Sequence, residues 1–171
     1  GEDRRIVIAA GGNATDVAGL AEVPSTLGGL VAANLRNAIA AVAIGHGLGL
    51  SDDAIRAGLG AMGTGFAANP GRFNLMRAGP VRILVDGPSC AGDVVALRDM
   101  IDRLPPLAPR VVAIAHPGNY PDANIAEFAA AFAGGFDRYV CYDWDDLRGR
   151  PPGVVAGQLA AGLVSFTPFG Q

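Results

Sequence analysis

The stretch Arg110-Val111-Val112-Ala113-Ile114-Ala115-His116 is a short, nearly all-apolar run followed by the turn-forming residues Pro117 and Gly118. Such a run is typical of a buried strand in a parallel sheet that is covered on both faces. Residues 138–142 form a second run of this kind. Between the two runs we predict a helix, because apolar side chains recur there at helical spacing: Ile125, Phe128, Ala129 and Phe132.

The neighbouring segments continue this alternation. Residues 72–77 and 81–86 are predicted to be paired strands joined at Gly79-Pro80. A helix is then expected on the stripe Val94, Leu97, Ile101 and Leu104, ended by Pro105-Pro106, and a last helix over residues 154–163. Alternation of strands and helices predicts an α/β fold with a mainly parallel sheet and helices on both faces.

The first third of the chain has a different organisation. Two short β runs, residues 5–9 and 16–23, flank the turn signal Gly11-Gly12-Asn13. A helix follows over residues 31–47, and Ser51 is a suitable N-cap for a second one. The predicted apolar stripes are Leu35, Ile39, Val42 and His46 on the first helix, and Ile55, Leu59 and Met62 on the second. Residues 65–72 are predicted to be a linker, which divides the chain into domains 1–66 and 67–171.

Composition narrows the class of protein. Half of the 171 residues are hydrophobic and 17% are charged, which predicts a packed core rather than disorder. The net charge of −3 excludes the broad basic surface of a nucleic-acid-binding protein. No apolar run approaches the roughly 20 residues that span a bilayer. Two cysteines do not make a disulfide framework, so we expect the protein in the reducing cytoplasm. Cys141 lies within an apolar strand and is expected in the core.

Three loops at predicted strand ends are candidates for a site, because ligands of open α/β sheets bind beyond the carboxyl ends of the strands. They are residues 86–90, 116–119 and 143–146. Asp86 could bind a ribose hydroxyl or a magnesium-bound water, or it could be a helix cap. Arg72 could hold a phosphate through its planar guanidinium, or it could be solvated like most loop arginines.

The sequence gives little support to a metal site, a phosphate-binding loop or a cysteine hydrolase. Neither His46 nor His116 has a second ligand at metal-binding spacing, so no metal site is predicted. The glycine-rich segments lack the pattern of a phosphate-binding loop, and all 13 basic residues are arginine, which excludes a self-sufficient P-loop ATPase. A hydrolase built on Cys90, with His116 and Asp86, is a further alternative, but no local signature of a cysteine hydrolase surrounds Cys90.

Several motifs, taken in order, resemble the Mur ligase family. Pro24-Ser25-Thr26-Leu27-Gly28-Gly29 and Asn34-Leu35-Arg36-Asn37 are similar to the end of that family's central ATPase domain. Asn69-Pro70-Gly71-Arg72-Phe73-Asn74 is similar to the start of its C-terminal domain. Arg148-Gly149-Arg150-Pro151-Pro152-Gly153 is closest to the cyanophycin synthetase branch. The resemblance covers nearly the whole chain and implies a Rossmann-like C-terminal domain preceded by the helical tail of the ATPase domain.

The resemblance also implies an activity. Mur-type ligases use ATP and magnesium to convert a carboxylate into an acyl phosphate, which an amine then displaces to form an amide. By position, Asn34 and Asn37 would contact adenine, Arg72 the nucleotide phosphates and Asp86 the ribose. Ser89, His116 and Asn119 would bind the amino acid or acidic polymer substrate. The phosphate-binding loop, the magnesium ligands and the modified lysine of the family would lie upstream of these residues.

The chain departs from the family at its candidate site. Where the family has Tyr-Ala-His-Asn-Pro after the aspartate, this chain has Gly87-Pro88-Ser89-Cys90-Ala91. Asn119 stands where an acidic residue would be expected, and Val154 replaces the usual glutamate. Two hypotheses follow: part of an ATP-dependent ligase that closes over ATP and is not catalytic alone, or a diverged Mur-like binding or structural module. Either is compatible with a homo-oligomer.

Overall fold

The computed structural model describes residues 4–105 and 109–164, and the chain forms two compact units, Gly1–Gly87 and Pro88–Gln171. The described strands make three two-stranded sheets, one of them parallel, and five α-helices accompany them. The mixed α/β class is therefore confirmed. The larger, mainly parallel sheet and the family domains 1–66 and 67–171 stay predictions.

The first unit begins with a β-hairpin. Strand β1 (Arg5–Ala10) pairs antiparallel with β2 (Asn13–Gly19), and Ala10 lies opposite Asn13. The two-residue loop between them is Gly11-Gly12, with φ angles of +57° and +82°. Positive φ at both positions is typical of a type I′ hairpin loop, and glycine adopts such angles without steric cost. The predicted turn is confirmed, although β2 begins and ends earlier than expected and leads into the 3₁₀ turn Leu20–Glu22.

Helix α1 (Ala32–Gly47) is confirmed, but its predicted apolar stripe is wrong in part. Val42 is buried and Leu35 packs against the core, whereas Ile39 is 49% exposed and His46 is also exposed. The buried positions include Ala38 and Gly45 instead. A Cβ on Gly45 would lie 3.1 Å from Ile55 Cγ1, so the small residues of α1 decide which face is packed. Steric fit outweighs side-chain hydrophobicity here.

Helix α2 (Asp52–Ala61) begins as the sequence predicts. The Ser51 hydroxyl accepts a hydrogen bond from the Ala54 amide at 3.3 Å, and Ile55 and Leu59 are buried. Met62, predicted to extend the apolar side, is wrong: it follows the last helical turn in an extended conformation and is 44% exposed. The hairpin β1–β2 and helices α1 and α2 share one hydrophobic core.

The first unit ends with a second hairpin. Strand β3 (Asn74–Ala78) pairs antiparallel with β4 (Val81–Val85), and Ala78 lies opposite Val81 across the predicted Gly79-Pro80 turn. The two predicted strands are therefore confirmed with shorter bounds. This hairpin places residue 74 at its start and residue 86 directly after its end.

The second unit contains α3 (Ala91–Arg103), β5 (Val111–Ile114), α4 (Asp122–Phe132), β6 (Arg138–Cys141) and α5 (Val154–Val164). Strands β5 and β6 pair in parallel, so the predicted strand–helix–strand unit is confirmed. Helix α4 packs against both α3 and α5. All four side chains of its predicted stripe are buried: Ile125, Phe128, Ala129 and Phe132.

The strands of the parallel pair are less buried than predicted. Val111 is 56% exposed and Val140 is 51% exposed, because these residues lie on the face opposite Ile114 and Cys141. Cys141, expected in the core, is only partly buried, and that burial raises the pKa of its thiol. Within the described ranges, no helix has the length and hydrophobicity to cross a membrane.

Substitution of alanine at two different glycines of α5 is expected to change the free energy of unfolding in opposite directions. A Cβ on Gly162 would lie 2.7 Å from Ala129 Cβ of α4, whereas a Cβ on Gly157 would meet nothing within 4 Å. Gly162→Ala should lower the free energy of unfolding by about 1–3 kcal/mol, because α4 and α5 must separate. Gly157→Ala should raise it by up to about 1 kcal/mol through helix propensity. Urea unfolding followed by circular dichroism measures both, and equal shifts would refute the close packing.

Candidate functional site

A buried asparagine organises the turn that precedes β3. Asn74 is fully buried, and its Oδ1 accepts a hydrogen bond from the Gly71 amide at 2.6 Å. Its Nδ2 donates to Thr64 O at 3.1 Å and to Asn69 O at 2.9 Å. The side-chain amide therefore uses one acceptor and both donors. Asn74 fixes residues 69–74 as a defined turn, a role that the sequence reasoning missed although the motif contained this residue.

This turn brings two predicted nucleotide-binding residues to the end of β4. Asp86 Oδ1 accepts a hydrogen bond from the Phe73 amide at 3.1 Å. Arg72 Nη1 donates to Gly87 O at 2.6 Å. Phe73, between Arg72 and Asn74, has a φ of +48°, a left-handed conformation that costs energy in a residue with a large side chain. Surrounding contacts thus hold Arg72 beside the segment 86–87 against local strain.

The predicted adenine-binding residues lie on α1. Asn34 is partly buried and its Nδ2 donates to Ser25 O at 2.7 Å, which ties α1 to the turn before it. Asn37 lies one turn later and is exposed. The hydrogen bond gives Asn34 a structural role, and the adenine contacts of both residues stay predictions.

The segment that leads into α3 contains Ser89 and Cys90. The Ser89 amide and hydroxyl both donate to Asp93 Oδ2, at 2.9 and 2.8 Å. Both hydrogen bonds hold the pKa of the Asp93 carboxyl below its ordinary value of 3.8, and the bond from the Ser89 amide has the larger effect. Cys90 is the exposed N-cap residue of α3. A carboxylate therefore already neutralises the positive end of this helix.

His116 lies beneath the loop that follows β5. It is 2% exposed, and its Nδ1 is 3.1 Å from Pro117 O, so Nδ1 must carry the proton. Its ring packs edge-on against Tyr120 and Phe128, with centroids 4.7 and 4.6 Å away. The described hydrogen bonds of His116 include none to a thiol or a carboxylate, so they give no support to the hydrolase alternative. Its substrate-binding role stays a prediction.

The third candidate loop is anchored by its first residue. Asp143 accepts hydrogen bonds from the Gly153 amide and, at 3.0 Å, from the Ala156 amide, and so it caps the start of α5. Trp144, the one tryptophan of the sequence, follows it and is 49% exposed. Asn119 is exposed in the loop after β5. Parallel β5 and β6 place both of these loops at the same sheet edge.

Curated proteins resemble this chain over most of its length. Cyanophycin synthetase of Synechocystis sp. is 30% identical over 146 residues, which are 85% of this chain and 16% of that protein. Cyanophycin synthetase of Trichormus variabilis is 28% identical over 86% of this chain and 16% of its own length. UDP-N-acetylmuramate–L-alanine ligase of Synechococcus elongatus, a Mur ligase, is 35% identical over 80% of this chain and 30% of its own. No family model matches. The resemblance predicted from the motifs is confirmed.

The buried turn gives a test of stability. Asn74→Ala removes one acceptor and two donors from a site without solvent, leaving Gly71 N–H, Thr64 O and Asn69 O without this partner. We expect the free energy of unfolding to fall by about 1–3 kcal/mol. Asn124→Ala, exposed on α4, should change it by less than about 0.5 kcal/mol. Chemical denaturation compares the two, and similar small effects would show that the turn does not depend on Asn74.

The lowered pKa values of two carboxyl groups predict how the stability of the protein changes at low pH. Hydrogen bonds from Ser89 lower the pKa of Asp93, and a hydrogen bond from Arg150 lowers that of Asp122. A carboxyl group with a lowered pKa contributes stability that is present above its ordinary pKa and is lost as the pH falls through the folded value. The variant Asp93→Asn/Asp122→Asn should therefore lose less stability than the parent protein below about pH 4. Asp145→Asn, at an exposed position, is the control for unfolding measured across this range.

Proposed function

Because the chain is homologous to cyanophycin synthetases and to a Mur ligase, we propose that it is the C-terminal part of an ATP-dependent amide ligase. The chain spans 16% of the length of the first two relatives and 30% of that of the Mur ligase. In this proposal the activity therefore belongs to a longer protein of which this chain is a part. In this proposal residues 1–66 continue the ATPase domain and residues 67–171 are a Rossmann-like domain that closes over ATP and receives the amino substrate. Closure of two domains completes sites that neither domain holds alone.

The turn at residues 69–74 carries the proposal. Asn74 and Asp86 fix the backbone on either side of Arg72, and the arginine itself is exposed. A guanidinium has five N–H donors in a planar fork that matches phosphate oxygens, and one of them is bonded to Gly87 O. The residue is thus positioned through its backbone and through one nitrogen, as a phosphate-binding arginine requires.

The resemblance implies ATP and magnesium as cofactors, and in this proposal only ATP is assigned residues of this chain. ATP would supply the phosphoryl group that activates a carboxylate, and Arg72, Asp86, Asn34 and Asn37 are the residues proposed to face it. Within the described part of the chain, no group of three or more His, Cys, Asp or Glu side chains could hold a metal ion. The proposal accordingly assigns no magnesium ligand to these residues.

The amino substrate is proposed to bind in the second unit, at the loops that follow the carboxyl ends of β5 and β6. Asn119 is exposed there, and the buried His116 packs directly beneath the same loop. An amide side chain both donates and accepts hydrogen bonds, so Asn119 suits the ammonium and carboxylate groups of an amino acid. Ser89 is proposed for the same substrate, although its hydroxyl donates to Asp93.

One observation favours a second candidate function, a Mur-like binding module without ligase activity. Asp93 occupies the start of α3 with a carboxylate bonded twice to Ser89. A negative charge at this helix end disfavours a phosphate or a second carboxylate nearby. The segment 87–91 also lacks the imidazole and the amide of the family motif.

Substitution of Arg72 tests the ligase function. In the protein that contains residues 1–171, Arg72→Ala should raise the KM for ATP about tenfold or more through loss of the charged phosphate contact. Arg77→Ala, an exposed arginine on β3, is the matched control and should leave the KM unchanged. ADP release on addition of an acidic peptide and L-arginine measures both. No ADP release by the unsubstituted protein would favour the binding module.

The same proposal predicts little nucleotide affinity for residues 1–171 alone, because these residues contain no phosphate-binding loop. Calorimetry should detect no ATP binding at micromolar concentrations. A micromolar dissociation constant for this chain would contradict the assignment of the phosphate site to another part of the ligase.

A further inference from the structure

Arg150 has more hydrogen bonds than its exposed neighbour Arg148 and belongs to a motif to which the proposed function assigns no role. Its Nε donates to Gly118 O at 2.5 Å, and its Nη2 donates to Tyr120 O at 2.7 Å. Its Nη1 donates to Asp122 Oδ1 at 2.6 Å and approaches Gln158 Oε1 at 3.4 Å. The side chain is only 22% exposed. One guanidinium therefore connects the loop after β6 with the loop after β5, with the first residue of α4 and with Gln158 of α5.

The two carbonyl groups held by Arg150 flank Asn119 on either side. Gly118 O and Tyr120 O both accept from the same planar group, so the peptide units 118–119 and 120–121, which enclose the 119–120 unit, are tied to one rigid guanidinium. The Asn119 side chain itself is exposed. Arg150 thus fixes the backbone of this residue and leaves its amide available to solvent or a ligand.

The backbone of the two loops is also in close contact. A Cβ on Gly118 would overlap Leu147 O and would lie 3.2 Å from both Cγ and Cδ of Arg150. Only glycine fits at this position without moving one of the loops. The contact and the hydrogen bonds act together, because the loops must approach this closely for the guanidinium to reach both carbonyl groups.

We propose that Arg150 is the positioning residue for Asn119, and that it holds this amide where it meets the amino group or carboxylate of the incoming amino acid. The inference rests on the proposed ligase function for the substrate class. Charge alone does not explain the arrangement, since two of the hydrogen bonds go to neutral backbone carbonyl groups. A lysine has one nitrogen and cannot reproduce the fork that spans Asn119.

Arg148 is a matched control two residues away. It forms an ion pair with Asp146 at 2.7 Å, and its side chain is 50% exposed. Exposed ion pairs contribute little to stability. Arg148→Ala removes the same charge from the same loop and leaves the contacts around Asn119 in place.

Binding of an amino acid to the ligase that contains residues 1–171 tests the inference, with L-alanine and L-arginine as probes and calorimetry as the readout. Arg150→Ala and Arg150→Lys should each weaken binding about tenfold or more, as should Asn119→Ala. Gly118→Ala, which keeps Arg150 but forces the loops apart, should do the same. The double variant Arg150→Ala/Asn119→Ala should bind no more weakly than either single variant, because the two residues act through one contact.

Hydrogen exchange separates positioning from a purely structural role. The amides of Gly118, Asn119, Tyr120 and Asp122 should exchange faster in Arg150→Ala than in Arg148→Ala, while those of β5 and β6 stay protected. Faster exchange with unchanged amino-acid affinity would overturn the inference, and so would multiplicative losses of affinity in the double variant. Failure of the parent chain to bind either probe would also overturn it. Amino-acid binding without ADP release by the ligase would instead contradict the proposed activity and leave the positioning role supported.

Discussion

Close packing around α4 is the constraint on which the second unit depends. This helix lies against both α3 and α5, and its side chains Ile125, Phe128 and Phe132 are almost completely buried. Ala129 allows α5 to approach so closely that Gly162 has no room for a side chain. The buried face of α4 continues at Phe128 into the ring of His116, beneath the loop after β5. The position of that loop is therefore set by the helix packing below it and by Arg150 beside it.

In the first unit, the turn before β3 depends on a buried polar group. Asn74 sits without solvent at the start of β3 and satisfies three backbone groups of the preceding turn. A buried amide is favourable only when its hydrogen bonds are formed, so this residue specifies one conformation of the turn. In that conformation Phe73 has a strained, positive φ angle. Strain of this kind persists where the surroundings over-determine the backbone, which is common at ligand sites.

Two local arrangements, one in each unit, are consistent with the proposed ligase function. The turn around Arg72 presents a cation suited to phosphate, and the loop around Asn119 presents a neutral amide suited to an amino acid. The segment 87–91, which lies between residues 72 and 119 in the sequence, differs from the motif of the family that the chain resembles, and there Ser89 donates two hydrogen bonds to Asp93.

The sequence by itself determined the order and type of the elements and the relationship to the Mur ligases. Periodicity, the Ser51 cap and the glycine turns act locally, and local signals survive in the fold. It did not determine which face of α1 is buried. The buried face contains Gly45, where Ile55 of α2 packs closely, while the more hydrophobic Ile39 is exposed. Nor did the sequence single out Asn74, Asp143 or Arg150, whose roles depend on hydrogen bonds to backbone groups that lie from 3 to 32 residues away. Which backbone groups these side chains reach is decided by the folded path of the chain, since spacing along the sequence follows no period that would reveal them.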